Sequence, residues 1–70
     1  MMGNIADLKA ELKKRSARAT QAKMDLHDLA EDLPLNWQEI NVVAERAQRA
    51  YADLTATRAA LKAAEEKAEG

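Results

Sequence analysis

Cysteine and phenylalanine are absent from this 70-residue sequence, and proline, histidine, tryptophan and tyrosine occur once each. Without cysteine, the chain can form neither a disulfide nor a thiolate site. Its two glycines, Gly3 and Gly70, cannot build a glycine-rich phosphate loop. No segment approaches the roughly 18 consecutive apolar residues of a membrane-spanning helix. We therefore expect a soluble, cytoplasmic protein that does not enter a membrane.

The residues that are present favour helix. Alanine and leucine dominate the apolar residues, and both prefer helices to strands. A chain of 70 residues forms one domain and buries too little apolar surface for a large core. We therefore expect a single domain over residues 1–70 that gains buried surface by forming a homodimer.

Apolar residues recur at alternating spacings of three and four residues in two segments. This heptad spacing predicts one helix over about residues 4–33 and a second over about 37–68. The residues predicted to form the core of the hairpin and of its dimer are Leu8, Leu12, Ala19, Ala22, Leu26, Leu29, Leu33, Ile40, Val43, Ala47, Ala50, Leu54 and Leu61.

A short corner at about residues 33–36 separates the two predicted helices. Pro34 ends the first helix, because proline lacks an N–H and restricts the residue before it. Asn36 and Glu39 have the spacing of a capping box at the start of the second helix, and Asn4 can cap the first. Such a short connection makes the helices antiparallel neighbours, so the fold class is an all-α, two-helix hairpin.

Two patterns predict how the helices align and how two hairpins associate. Arg15 interrupts the first apolar seam and is expected opposite Thr57 and Arg58, in a polar layer that fixes the register. Residues 24–45 carry six acidic side chains and no lysine or arginine, whereas residues 1–23 carry six basic and two acidic ones. We therefore expect head-to-tail pairing of two hairpins into a four-helix bundle or rod.

The acidic corner contains the candidate metal ligands. His27 and Glu31 lie four residues apart on the first predicted helix, and Asp28 is adjacent. Imidazole and carboxylate groups at this spacing can supply ligands to a divalent transition metal. The same spacing is common on exposed helix faces, where it produces only a solvated ion pair, and the pattern favours that simpler interpretation.

The corner is also a candidate protein-binding surface. Trp37 either covers the end of the hairpin or remains exposed as an anchor for a partner, since tryptophan is enriched among interface hot spots. On the second interpretation, the partner-binding residues are Asp25, His27, Asp28, Glu31 and Trp37.

Other functions are less well supported by the sequence. Ser16 lies eleven residues from His27, too far along one helix for a nucleophile and its base, so we expect no enzyme activity. The first helix has a basic stretch that could contact RNA. The chain as a whole is acidic and offers no aromatic residue there for stacking, which argues against nucleic-acid binding.

The run "KMDLHDLAEDLP" followed by "NWQEI" resembles the small Rop-like helical-hairpin family, whose genes lie among bacterial nitrogen-fixation genes. The resemblance is strongest over residues 23–40 and looser over about 8–61. It implies an antiparallel hairpin that dimerises into a rod, and a role in nitrogen fixation. The resemblance also implies a possible metalloprotein but no assigned catalytic residue, and the RNA-binding face of Rop has no motif match here.

Together these observations lead to one principal hypothesis. The hypothesis is that the chain is a non-enzymatic accessory protein of nitrogen fixation. It would dock, as a dimer, onto a nitrogenase-associated or cofactor-assembly protein. A metal-binding module in the same pathway is the first alternative, and a Rop-like RNA-binding regulator is the second.

Overall fold

The computed structural model describes residues 5–69 and contains two long helices in this range. Helix α1 spans Ile5–Asp32, and helix α2 spans Ile40–Glu69. A single 3-10 turn, Trp37–Glu39, precedes α2, so the residues predicted to begin the second α-helix form a tighter turn instead. The predicted all-α hairpin is confirmed. The predicted cap at Asn4 lies outside the described residues.

The corner is closed by backbone hydrogen bonds. The Leu35 N–H donates to the Asp32 carbonyl, and the Glu39 N–H donates to the Asn36 carbonyl, both at 2.9 Å. Asn36 adopts a left-handed backbone conformation with φ 61° and ψ 27°. Asparagine accepts this conformation more readily than most residues, because in general its short polar side chain can interact with the nearby backbone.

The prediction that the Asn36 side chain caps the second helix is wrong. This side chain makes no capping hydrogen bond. A capping residue normally has an extended backbone, which directs its side-chain oxygen at the amides of the first turn. At φ 61° that geometry is lost, and the backbone carbonyl of Asn36 accepts the Glu39 N–H instead. Asn36 therefore helps to form the turn through its backbone conformation and not through its side chain.

The interface between the two helices is narrow and rich in alanine. Three of the six buried apolar residues are alanines, which let the helix axes approach closely. The buried apolar residues are Ala19, Ala22, Leu29, Ala47, Leu54 and Leu61. The other predicted core residues are less covered: Leu8, Leu12, Val43 and Ala50 are half-buried, and Leu26, Leu33 and Ile40 are exposed.

A polar layer crosses the hairpin at Arg15, as the sequence predicts, but with different partners. The guanidinium of Arg15 lies 3.4 Å from the Asp53 carboxylate, and the hydroxyl of buried Thr57 donates to the Asp53 carbonyl at 2.9 Å. Asp53 thus takes the place predicted for Arg58. Pairing Arg15 with Thr57 and Arg58 implies a midpoint near residue 36, whereas the contact of Arg15 with Asp53 implies one near residue 34.

The hairpin is a rod that leaves much of its surface open. Its principal dimensions are 53 × 17 × 15 Å, and its radius of gyration is 15.7 Å. A compact chain of this length would have a radius of gyration of about 11 Å. Neither of the two helices within residues 5–69 is long and apolar enough to cross a membrane.

Candidate functional site at the acidic corner

The acidic corner, meaning residues 27–40, is exposed at nearly every position. Every residue from 30 to 42 is exposed, because the helices end here and nothing in the hairpin packs over the turn. The side chains of His27, Asp28 and Glu31 are also exposed, at 67%, 73% and 69%. Solvent and other molecules can therefore reach all three side chains in a single chain.

His27 lies between two carboxylates on the surface of α1. Its Nδ1 atom is 3.7 Å from the Asp28 carboxylate and 4.0 Å from the Glu31 carboxylate. Both acids therefore approach the same ring nitrogen. Protonation of the imidazole would turn these contacts into ion pairs, which contribute little at such exposure.

This arrangement does not form a metal centre within one chain. Metal ligands converge on a point about 2.0–2.2 Å from each donor atom. Within residues 5–68, no group of three or more histidine, cysteine, aspartate or glutamate side chains is arranged to hold a metal ion. The metal-binding hypothesis for His27, Glu31 and Asp28 stays a prediction, and it requires further ligands from water or a second chain.

Large apolar side chains surround the turn. Leu35 is 68% exposed and Trp37 is 60% exposed, while Leu33 and Ile40 are 42% and 39% exposed. The turn lies beyond Leu29, the last buried residue of α1. These side chains therefore have no facing helix to pack against. Of the two interpretations of Trp37, the exposure favours the partner-binding anchor over a cover for the hairpin end.

Asp25 is separate from the other predicted partner-binding residues. It is half-buried, and its carboxylate accepts a hydrogen bond of 2.9 Å from the Gln21 amide. It lines a groove between the two helices, together with Ala22 and Arg46. The structure therefore brings His27, Asp28 and Glu31 together at the corner and assigns Asp25 to a different surface.

The groove between the two helices is a surface that the sequence patterns did not reveal. The mid-hairpin groove, as we call it, has a volume of about 340 Å³. It is lined by Arg15, Arg18, Gln21, Ala22, Asp25, Arg46, Ala50 and Asp53. On α1 the lining residues Arg18, Gln21 and Asp25 repeat at spacings of three and four residues, but this spacing does not show which residues of α2 face them.

Several UPF0437 proteins are similar to this chain. A UPF0437 protein of Azorhizobium caulinodans is 51% identical over 61 residues, which cover 87% of this chain and 88% of that protein. The UPF0437 protein y4xE of Sinorhizobium fredii is 45% identical over 64 residues, covering 91% of this chain and 96% of that protein.

A third relative is described by its genomic position. It is a UPF0437 protein in the nifX-nifW intergenic region of Frankia alni, 45% identical over 51 residues, which cover 73% of this chain and 62% of that protein. No solved structure matches the chain significantly. The Rop-like family model matches residues 3–66, nearly the whole chain. The hairpin geometry and these matches agree, and the chain belongs to the Rop-like family.

Proposed function

We propose that this protein is a non-enzymatic accessory protein of nitrogen fixation, which acts as a dimeric docking module on nitrogenase or on a protein that assembles its cofactor. The observation that carries the proposal is the relative in the nifX-nifW intergenic region, which is 45% identical to this chain. The exposed corner, with its apolar and acidic side chains, supplies the surface for docking.

Dimer formation is supported by the amount of surface that one hairpin leaves open. The accessible surface is 5589 Å². A compact folded monomer of 7.7 kDa would expose only about 4,300 Å². The excess of roughly 1,300 Å² is larger than the roughly 800 Å² that each partner contributes to a standard interface. A second hairpin can therefore cover this surface.

We assign the dimer interface to the stripe of α2 that carries its exposed apolar side chains. Ile40, Ala44 and Tyr51 are separated by four and seven residues, so they lie on one side of the helix. Ile40 and Tyr51 are 39% and 40% exposed. Head-to-tail pairing on this stripe brings the acidic corner of one chain towards the basic first half of α1 in the other, which is electrostatically favourable.

Sedimentation equilibrium on two matched variants tests the dimer. Tyr51→Glu introduces a charge into the proposed interface, and we expect it to give a folded monomer at micromolar concentration where the parent is a dimer. Val42→Glu introduces the same charge at an apolar residue that is 49% exposed but lies outside the stripe. We expect this control to remain dimeric. A parent protein that sediments as a stable monomer would refute the dimer.

Docking through the corner is supported by the combination of Trp37 with the surrounding acids. An exposed tryptophan can enter an apolar pocket of a partner, while carboxylates around it select a basic rim. The region from 24 to 45 carries no lysine or arginine, so its field is uniformly negative. The partner surface that fits this corner is basic with an apolar centre.

Affinity capture from nitrogen-fixing cells tests the docking role. The tagged parent is compared with Trp37→Ala and Asp28→Ala, and captured proteins are identified by mass spectrometry. We expect both variants to lose the same partner. Glu65→Ala, which removes an exposed acid at the other end of the hairpin, should retain it. If the Trp37 and Asp28 variants capture every partner of the parent, the corner is not the docking surface.

The metal-binding alternative uses the same corner and is separable from docking. The contact of His27 with Asp28 and Glu31 gives two or three potential ligands, to which the dimer partner or water would add the rest. Isothermal titration of Zn²⁺ or Ni²⁺ into the parent and into His27→Ala distinguishes the two functions. Weak binding that is unchanged in the variant removes the metal site without affecting the docking proposal.

A further inference from the structure

The charges in the mid-hairpin groove are unequally paired. Its two carboxylates are already engaged, because Asp53 lies 3.4 Å from the Arg15 guanidinium and Asp25 accepts a hydrogen bond from Gln21. Arg18 and Arg46 also line the groove, and the side chain of neither makes an ion pair or hydrogen bond with any residue of the described range 5–68. The groove therefore presents two guanidinium groups, one from each helix, that have no counter-ion among the described residues.

Between these charges the groove has an apolar floor. Ala22 is buried and Ala50 is half-buried, and both line the groove between the helices. The volume of about 340 Å³ is within the range of small-molecule sites, about 300–1,000 Å³. A floor of methyl groups cannot hydrogen-bond a bare inorganic ion, but it can pack against a carbon skeleton.

We propose that the mid-hairpin groove binds a small organic anion that carries at least two carboxylate or phosphate groups. Arg18 holds one anionic group from α1, Arg46 holds another from α2, and the carbon skeleton lies over Ala22 and Ala50. The planar guanidinium fork matches the two oxygens of a carboxylate or phosphate, and such charge-assisted hydrogen bonds are among the strongest in proteins.

The carboxylates of the groove restrict which anions can bind. Asp25 and Asp53 repel a ligand whose charge is spread evenly, so the anionic groups must lie beside Arg18 and Arg46. Removing one of these repulsions should tighten binding. We therefore expect Asp25→Asn, which keeps a side chain able to accept from Gln21, to bind the same anion more tightly than the parent.

The groove and the proposed dimer interface lie on different sides of α2. Arg46, Ala50 and Asp53 line the groove, while Ala44 and Tyr51 belong to the apolar stripe. Neighbouring residues of a helix point about 100° apart, so a partner seated on the stripe leaves the groove accessible. Anion binding can be measured on the purified chain alone, and its result is independent of the docking proposal.

Isothermal titration calorimetry at about 150 mM salt tests the site with three probes. Citrate supplies carboxylates, fructose 1,6-bisphosphate supplies phosphates on a carbon skeleton, and inorganic phosphate lacks the skeleton. We expect one of the two organic anions to bind, which identifies the anionic group, and inorganic phosphate to bind about tenfold more weakly.

Three variants with the same change of charge locate the site. We expect Arg18→Gln and Arg46→Gln each to weaken binding of the organic anion by about tenfold, as loss of a charged hydrogen bond does. Arg58→Gln removes a guanidinium outside the groove, and we expect it to change binding less than about twofold. All three arginines are exposed and glutamine is a good helix former, so the variants should fold like the parent.

Two outcomes would overturn the site. One is that neither organic anion binds the folded parent at millimolar concentration. The other is that Arg58→Gln weakens binding as much as the groove variants do, which would show general attraction to basic side chains. Backbone amide chemical shifts give an independent check, because binding in the groove must perturb the amides of Ala22 and Ala50 more than those around Lys62.

Discussion

The middle of the hairpin buries small apolar residues, whereas its corner exposes large ones. In the middle, Ala19, Ala22 and Ala47 are all no more than 7% exposed. At the corner, Leu35 and Trp37 are more than half exposed. Small residues at a helix crossing let the backbones approach, whereas large residues left in water lose the free energy of burial. Packing within one chain therefore explains the middle of the hairpin but leaves the large residues at the corner for a second molecule.

The charged residues of the two regions also differ, in whether they pair between the helices or within one helix. In the middle, Arg15 connects the helices through Asp53 and also contacts Glu11 within α1, at 3.0 Å. At the corner, the carboxylates of Asp28 and Glu31 pair, among the described residues, only with His27, on their own helix. Charges that pair between helices fix their alignment, whereas charges that pair locally leave their outer side open. The corner therefore has the features of a surface for recognition.

The largest expected difference between the regions is in stability. Leu54→Ala removes a buried side chain from the middle, and the lost burial together with the remaining cavity should lower the free energy of unfolding by about 3 kcal/mol. Leu35→Ala makes the same chemical change at the corner, where the side chain is 68% exposed. Its effect should be below about 0.5 kcal/mol. Urea denaturation, at one fixed protein concentration, measures both.

Equal effects of the two leucine substitutions would contradict this comparison. A large loss of stability in Leu35→Ala would show that the corner is packed in the folded protein, for example against the dimer partner. Repeating the measurement on the monomeric Tyr51→Glu variant separates these cases, because only a contact with the second chain disappears with dissociation.

A second, smaller effect is expected at the turn itself. Asn36 has φ 61°, where glycine has no steric cost and other residues cost about 1 kcal/mol or more. We expect Asn36→Gly to leave the unfolding free energy within about 0.5 kcal/mol of the parent, and Asn36→Ser to lower it by about 1 kcal/mol. Thermal and urea denaturation of the three proteins would measure this order.

The opposite order would favour side-chain capping. Serine is as good a capping residue as asparagine, whereas glycine has no side chain with which to cap. If Asn36→Ser were as stable as the parent and Asn36→Gly clearly less stable, the hydroxyl would be capping the first turn in solution. The left-handed backbone of Asn36 would then not be the source of its contribution.

The sequence predicted the elements better than the contacts between them. Heptad spacing determines which side of each helix faces the other, and Pro34 must stop α1, so the hairpin followed directly from the sequence. The position of Asp53 opposite Arg15 depends on how the turn closes. A left-handed Asn36 and a 3-10 turn are local choices that spacing does not encode.

The functional surfaces were predictable to different extents. The contact of His27 with Glu31 could be predicted, because side chains four positions apart on a helix are neighbours, and Asp28 directly follows His27 in the chain. The mid-hairpin groove could not, because Arg18 and Arg46 come from different helices and meet only once the register is set. The assignment of Asp25 to the groove instead of the corner has the same cause.

The smallest expected effect concerns the ion pair that crosses the middle of the hairpin. Asp53→Asn removes the contact with Arg15 and should lower the free energy of unfolding by about 0.5 kcal/mol, because both side chains are partly exposed and water screens the attraction. Glu45→Gln is the matched control, since it breaks the 3.1 Å pair with Arg49 within α2 and connects no second helix. A double-mutant cycle of Asp53→Asn with Arg15→Gln, measured by urea denaturation, isolates the coupling between the two side chains. A coupling indistinguishable from zero would show that the apolar seam alone aligns the helices, and that charges in the middle, like those at the corner, are available for other molecules.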